Sequence, residues 1–388
     1  MSFWPHRLAA TLEASREALR LQQEQLSHDA RLFDGALQQV ERLGKLELEQ
    51  RLEKVANPGA LPSSEHDRVS GWFVPFGQRW ESHEQARGWA QERIAGVTTA
   101  AVDGSEIRPS KDHTLPLGFV QVAWFCNPHD GAQRHEKDAR IELVLPTPGQ
   151  EDVSLRRFRL ECQQLRMLVE DLAGRSPPPV LFFDGTFVLS FTNEMPQPQA
   201  DRYVAEMVSL LQATEQFGVP VVGYTDTSEA RDLVALTARA ADVELPEIVR
   251  DAPMLSRRMA WGDRTKAFVC ARNDRVLERY RGEDGRSLSR EVCFVYLKTT
   301  SEFPPARLDV PGWLVRDGLL DHVVDVVRAE VIATAAGYPY AVEAADAAAV
   351  LALADRERVL RAVQRFCDGE SLTLDIVPKA ASKRRRRE

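Results

Sequence analysis

Ala100-Ala101-Val102-Asp103-Gly104-Ser105 and Leu181-Phe182-Phe183-Asp184-Gly185-Thr186 share one local grammar: an apolar run that ends in Asp-Gly and a hydroxyl residue. Such runs read as buried strands, and in an open α/β sheet the groups at the carboxyl ends of strands face the ligand crevice. A glycine directly after the acid lets the backbone turn sharply. Asp-Gly is also a common turn dipeptide, so one copy carries little weight. Two copies predict carboxylates able to meet at one end of a sheet.

Outward from this pair the texture is that of an α/β domain. From Val97 on, short apolar runs alternate with amphipathic stretches, the pattern of strands crossed by helices. Strands are predicted over 97–102, 119–125, 141–145, 180–183, 219–224, 267–271 and 292–297. Helices are predicted over 152–172, 200–217, 228–240 and 317–335, with a last one over 341–366. Upstream, residues 5–55 read as a long polar helix in which Leu12, Leu19, Leu26, Phe33 and Val40 fall seven apart, with Ala30 and Leu37 four places on. This seam, incomplete at Arg16 and Gln23, fits either an arm packed on its own domain or a self-association helix. Gly44 interrupts it, and Asn57, Pro58, Gly59, Pro62, Ser63 and Ser64 mark a loop.

Two further acids stand out. In 152–172, Leu155, Phe158, Cys162, Leu165, Val169 and Leu172 trace a core-facing stripe, and Glu161 sits three after Phe158 and four before Leu165, on the flank of the buried face. It points either into a site or past the stripe to a surface arginine. Asp346 lies in Glu343-Ala344-Ala345-Asp346-Ala347-Ala348-Ala349-Val350 with no cation beside it, although Asp is a poor helix-interior residue. Asp355, by contrast, has Arg356 and Arg358 at hand for a surface salt bridge. If the four acids converge, like charges at ~4 Å repel by roughly 4 kcal/mol per pair at an effective dielectric near 20. A hard divalent cation relieves that conflict, and oxygen-only ligands suit Mg²⁺ or Mn²⁺, ions that support phosphoryl transfer.

Composition narrows the remaining classes. The 388 residues are 44 % hydrophobic and 28 % charged, with net charge −8, as in an ordinary folded protein. No apolar run approaches the ~18 residues that cross a bilayer, and Met1–Arg7 lacks the layout of a secretory signal. A cytoplasmic protein without membrane contact is expected. The five cysteines form no Cys-x-x-Cys, and the histidines form no His-Glu-x-x-His, so a redox disulfide and a zinc site are not expected. The tail holds five consecutive cations, Lys383–Arg387. Without them and Glu388 the body has 50 − 5 = 45 positive and 58 − 1 = 57 negative charges, a balance of −12. That argues against a generic nucleic-acid coat, whose affinity comes from Lys and Arg displacing counterions. Nucleic-acid binding must be local: Arg250, Arg257, Arg258, Arg264, Lys266 and Arg272 could line a channel, and the tail could contact phosphate or simply remain solvated.

In order along the chain, these residues resemble the NurA-type DNA-end nucleases. The match runs through Ala101-Val102-Asp103-Gly104-Ser105 with Ile107, Pro109 and His113, then Arg157 and Glu161, then Phe183-Asp184-Gly185-Thr186 and Gly262-Asp263-Arg264-Thr265. It continues through Arg307-Leu308-Asp309-Val310-Pro311-Gly312-Trp313 and ends at Gly337-Tyr338-Pro339-Tyr340 with Ala345-Asp346. The resemblance implies a mixed α/β sheet of ribonuclease H-like fold flanked by helices over 91–370. An N-terminal helical extension would cover 1–90 and a basic tail 371–388. It implies that Asp103, Glu161, Asp184 and Asp346 are catalytic and ligate one or two Mn²⁺ (or Mg²⁺) ions, with Tyr224, Arg264, Arg307 and Tyr338 contacting DNA. The implied activity is 5'-to-3' exonuclease and/or single-strand endonuclease cleavage in DNA end resection, by a homodimer working with a HerA-type hexameric ATPase, in repair or anti-phage defence. Glu106 stands where an amide is common, and Asp346 where some relatives have His. Asp226 or Thr227, after Tyr224, reads as a helix N-cap.

Two rivals remain. Phe183-Asp184-Gly185-Thr186 mimics half of a haloacid-dehalogenase loop, but that phosphatase chemistry needs a nucleophilic Asp where this chain has Phe182. A catalytically inactive scaffold of a translocase would lack acids that are all present here. The chain carries no Gly-x-x-x-x-Gly-Lys-Ser/Thr, so a nucleotide-driven motor would have to be a separate protein.

Overall fold

Thr99–Ile107 stays extended for nine residues because antiparallel pairing to Gly118–Asn127 runs without a break from Thr99 opposite Asn127 to Ile107 opposite Phe119. The computed structural model describes residues 4–109, 117–131, 134–145, 152–272, 274–334 and 336–372. His113 and the Lys383–Arg387 tail lie outside the described residues.

The chain begins with α1 (Pro5–Ala14), α2 (Arg16–Val40), α3 (Lys45–Leu52), β1 (Gly59–Pro62), β2 (Phe73–Val74) and α4 (His83–Ile94). It continues with β3 (Thr99–Ile107), β4 (Gly118–Asn127), β5 (Glu136–Val144), α5 (Val153–Asp171), β6 (Val180–Asp184), α6 (Gln197–Phe217) and β7 (Val221–Thr225). Then follow α7 (Asp232–Ala240), α8 (Asp251–Ser256), β8 (Arg264–Thr265), β9 (Phe268–Ala271), β10 (Val292–Leu297) and β11 (Ala306–Pro311). The last helices are α9 (Gly312–Arg316), α10 (Leu320–Thr334), α11 (Tyr340–Ala349) and α12 (Leu353–Gly369). Two compact units result: Met1–Gly77, Thr227–Asn273 and Cys293–Arg307 make the first, and Gln78–Asp226, Asp274–Val292 and Leu308–Glu388 the second.

In the second unit β3, β4 and β5 form an antiparallel meander, while β6 lies parallel to β3 on its other side and β7 parallel to β6. The order β5-β4-β3-β6-β7 is the ribonuclease H-like arrangement expected from the sequence. Helix α5 packs on one face of β3 and β4, and α11 also packs on these strands. The α5 stripe is buried as predicted, with Leu155, Phe158, Cys162, Leu165 and Val169 all inside. Helix α6 stops at Gly218, whose φ of 66° serves as a left-handed cap.

In the first unit β1 pairs with β9, β9 with β10, and β8 with both β2 and β10. The heptad seam divides: Phe33, Leu37 and Val40 are fully buried, whereas Leu12, Leu19 and Leu26 are exposed. The register breaks ahead of Gly44, the N-cap of α3.

Several expectations are corrected. The loop over 57–64 contains strand β1, and the Ser63 hydroxyl donates to the Ala267 carbonyl. Neither Asp226 nor Thr227 caps a helix, because α7 starts at Asp232 with Arg231 as its N-cap. The single helix over 341–366 is two, since Val350 and Ala352 take non-helical backbone angles. Strand β11 and helix α4 are additional. Helix α4 starts where Ser82 accepts from the Gln85 backbone N–H. No helix among the described residues is long and apolar enough to cross a membrane.

Candidate active site

The carboxyl ends of the parallel strands β3, β6 and β7 and the middle of α5 and α11 supply the acids. Asp103 lies within β3, Asp184 ends β6, Glu161 is on α5 and Asp346 on α11. Alternation along β3 puts Asp103 and Gly104 on opposite faces. Residue 104 faces α5: a Cβ there would lie 2.4 Å from Glu161 Oε1 and 2.9 Å from Arg157 Cγ. Asp103 faces the α11 side, because Ser105, on the same face, sits opposite Gln121, whose amide bonds to α11. The glycine therefore serves close approach, letting the Glu161 carboxylate rest against the strand that carries Asp103. At Gly185 the sequence expectation of a turn is met, with φ of 137°.

The charges of these acids act on one another. Burial pushes Asp103 up to about 6, with Asp184 and Asp346 adding to the shift against the Gly104 N–H and Arg157. Burial pushes Glu161 up to about 7; Arg157 opposes this, and Asp103 and Asp184 reinforce it. Asp184 is raised by loss of solvent, which the Tyr338 hydroxyl opposes and Asp226 and Asp346 reinforce. One cation stands among them. Arg157 Nη1 is 3.6 Å from Glu161 Oε1, its Nε is 3.3 Å from Glu106 Oε2, and Nη1 donates to the Gly104 carbonyl at 3.0 Å. Glu161 Oε1 is buried and accepts no hydrogen bond. Among the described residues no three His, Cys, Asp or Glu side chains close into a coordination shell. The acids are near enough for their charges to act on one another, and their oxygen-only donors are of the kind that suits a hard divalent cation.

The family model of the NurA domain matches residues 97–351, which span every one of these acids. The chain belongs to the NurA family. As a member it is a DNA nuclease, a hydrolase of phosphodiester bonds. Among solved structures, the NurA nuclease of Sulfolobus solfataricus is 14 % identical with a TM-score of 0.49, covering 71 % of this chain and 85 % of that one. A NurA with manganese is 8 % identical, TM-score 0.44, covering 89 % and 98 %. The catalytic domain of human endonuclease V is 14 % identical, TM-score 0.34, covering 73 % and 94 %. No curated protein matches.

The other motif residues of the NurA domain shape this site or lie elsewhere. Tyr338 donates its hydroxyl to Asp184 Oδ1, and loss of solvent together with Asp184 raises its pKa, so it stays a donor. Tyr224 is fully buried, donates to the Gly337 carbonyl and meets Tyr338 edge-on at 4.9 Å. Its ring and hydroxyl are thus engaged inside the protein, beside Tyr338. Asp309 Oδ2 accepts from Thr186 Oγ1 at 2.5 Å and from the Phe187 N–H at 3.0 Å, shaping the loop after Asp184. Arg264 and Arg307 belong to the first unit, are each 1 % exposed, and do not offer their charge to phosphate. Arg264 forks onto Glu65, and Arg307 Nη1 donates to Asp232 Oδ2. The channel expected from neighbouring cations is corrected likewise: Arg258 engages Glu41, Lys266 the His66 carbonyl, and Arg272 Asp232. Asp226, not among the candidate acids singled out from the sequence, directly follows β7 and adds to the rise of the Asp184 pKa. That strand-end position was the signal available for it.

Proposed function

We propose that this NurA-family chain cleaves DNA with one or two divalent cations, Mn²⁺ or Mg²⁺, held by Asp103, Glu161, Asp184 and Asp346. The observation that supports this reading is the Glu161 carboxylate seated against Gly104, next to Asp103, in a group of acids whose pKa values burial and mutual repulsion raise against Arg157. Bound there, the ion would lower the pKa of an attacking water and offset the charge that develops on the phosphate. The chain's own groups prepare that step. Tyr338 occupies one oxygen of Asp184 and would leave the other for the cation. Arg157 orients Glu161 through Gly104 and keeps a positive group beside the place of the phosphate. Asp226 adds negative potential at the end of β7.

The finer assignment is 5'-to-3' exonuclease and/or single-strand endonuclease action, in repair or anti-phage defence. The enzyme would act as a homodimer with a separate HerA-type ATPase, in keeping with the absence of a nucleotide-binding loop from this sequence. End-labelled single- and double-stranded DNA incubated with Mn²⁺, Mg²⁺ or chelator tests the activity. Cleavage is expected with metal, none with chelator, and a loss of at least about 10³-fold in Asp103→Asn and Asp184→Asn with the far-UV dichroism unchanged. Cleavage retained by purified Asp103→Asn would remove the proposed centre. Product lengths report polarity, and co-elution with a HerA-type ATPase on gel filtration tests the partner.

A further inference from the structure

Helix α11 carries Asp346 on an unusual support. Six of its ten residues are alanine, and Val342 is its one buried side chain larger than alanine. Helices key into their neighbours through ridges of side chains, and alanine ridges are shallow. Packing therefore resists a shift of α11 along its axis only weakly. A slip of one residue would carry Asp346 about 1.5 Å and turn it by about 100°, enough to take a carboxylate out of a coordination shell.

Hydrogen bonds at both ends of the helix supply the missing constraint. The N-cap is Pro339, without a capping side chain, so the first-turn N–H groups need outside acceptors. Glu330 provides one from α10. Its side chain is 1 % exposed, Oε2 accepts the Ala341 N–H at 2.8 Å, and Oε1 accepts the Thr99 hydroxyl at 2.8 Å. Thr99 is buried at the start of β3, four residues before Asp103. Behind Glu330, His129 Nδ1 lies 2.7 Å from the Val97 carbonyl, which makes that nitrogen the donor and turns Nε2 toward Glu330 Oε1 at 3.6 Å. At the other end, Gln121 Nε2 donates to the Ala348 and Ala349 carbonyls at 3.2 and 3.1 Å. Gln121 is on β4, directly opposite Ser105 of β3. One helix is thus tied at its first turn to the start of the Asp103 strand and at its last turn to that strand's partner.

We propose that Glu330 and Gln121 are positioning residues that set the axial register of α11 and so place Asp346 opposite Asp103. The inference rests on the reading of Asp346 as a cation ligand. Neither residue touches the cation; they act through the helix backbone. The small residues bring the helix close to the sheet, and the two polar clamps select one position along it.

The test is a Mn²⁺ titration of the full chain followed by thermal shift and by the loss of the free-ion electron paramagnetic signal. It compares the wild type with Gln121→Met, Gln121→Lys and Glu330→Gln, and with Asp346→Asn as the reference for a lost ligand. Gln121→Met keeps the volume and removes the donors. It is expected to raise the Mn²⁺ midpoint about tenfold, as loss of groups that orient metal ligands does, with the metal-free melting temperature within about 2 °C. Gln121→Lys restores a donor to the last carbonyls and is expected to recover much of the wild-type midpoint. Glu330→Gln keeps an acceptor for the Ala341 N–H and can donate to the Thr99 hydroxyl, losing only the charge, and is expected to raise the midpoint less than Gln121→Met. If wild type responds to Mn²⁺ and Gln121→Met shares its midpoint, this inference is overturned and the metal reading stands. A wild type with no response overturns both.

Discussion

Asp232 in the first unit and the acids around Asp103 in the second shift in opposite directions. In the first unit Asp232 is 3 % exposed, with Arg272 Nε 2.6 Å from Oδ1 and Arg307 Nη1 2.6 Å from Oδ2. Burial alone would raise its pKa, but Arg307 and Arg272 overcome this and hold the carboxyl below its ordinary value. Arg307 in turn lies 3.9 Å over the Phe294 ring. Asp251 beside them accepts the Leu233 and Val234 N–H groups and the Tyr296 hydroxyl. In the second unit Asp103, Glu161 and Asp184 all rise, because burial and the neighbouring carboxylates outweigh what Arg157 and the local hydrogen bonds offset. The difference teaches what an acid is for. Where cations match an acid inside the protein, its charge is held by the fold; where burial outweighs them, the carboxylates hold protons more tightly and remain candidates for a cation from outside the chain.

Each side of the contrast can be broken. Arg307→Ala would leave Asp232 with one partner in a low-dielectric interior, and a loss of about 3–5 kcal/mol is expected in chemical denaturation. Gly104→Ala comes next. Its Cβ must displace Glu161 Oε1 from 2.4 Å, with about 1–3 kcal/mol of overpacking and at least about a tenfold weaker Mn²⁺ response by thermal shift.

The smallest effect sharpens the electrostatic contrast. Asp103 and Glu161 hold protons more tightly folded than unfolded, since their folded values near 6 and 7 lie above the ordinary 3.8 and 4.5. The stability they contribute is full below pH ~4 and is lost as pH rises through ~6–7. Metal-free protein is therefore expected to melt about 3 °C or more higher at pH 5 than at pH 8. Saturating Mn²⁺ should narrow the gap. Asp103→Asn, which relieves the repulsion, should melt at or above wild type at pH 8 without metal and respond little to Mn²⁺. A metal-free wild type less stable at pH 5 than at pH 8 would contradict the electrostatics of the cluster.

Legibility differed from element to element. The strands that carry Asp103 and Asp184 were readable because apolar runs are local signals, although β3 runs on past Asp103 to Ile107 where the sequence predicts an end. Glu161 was readable as the flank of a helical stripe, though whether it pointed inward was not. Strand β11 was missed because Arg307 and Asp309 look like surface residues. Each is 1 % exposed, matched by carboxylate, hydroxyl and backbone partners distant in sequence. The break between α11 and α12 was missed because Val350-Leu351-Ala352 contains neither Pro nor Gly.

The sequence by itself determined most strands and helices of the second unit and the order of its candidate acids along the chain, because periodicity, apolar runs and residue chemistry are properties of neighbours along the chain. Tertiary structure alone decided which charged residues are neutralised inside and which are left facing one another. Arg264 and Arg307 moved from candidate DNA contacts to buried partners of Glu65 and Asp232, Tyr224 moved inside, beside Tyr338, and Gly104 became the gap that admits Glu161. The physical reason is that a charge's role is set by the countercharges and solvent around it in space, and folding brings those from positions that no local pattern connects.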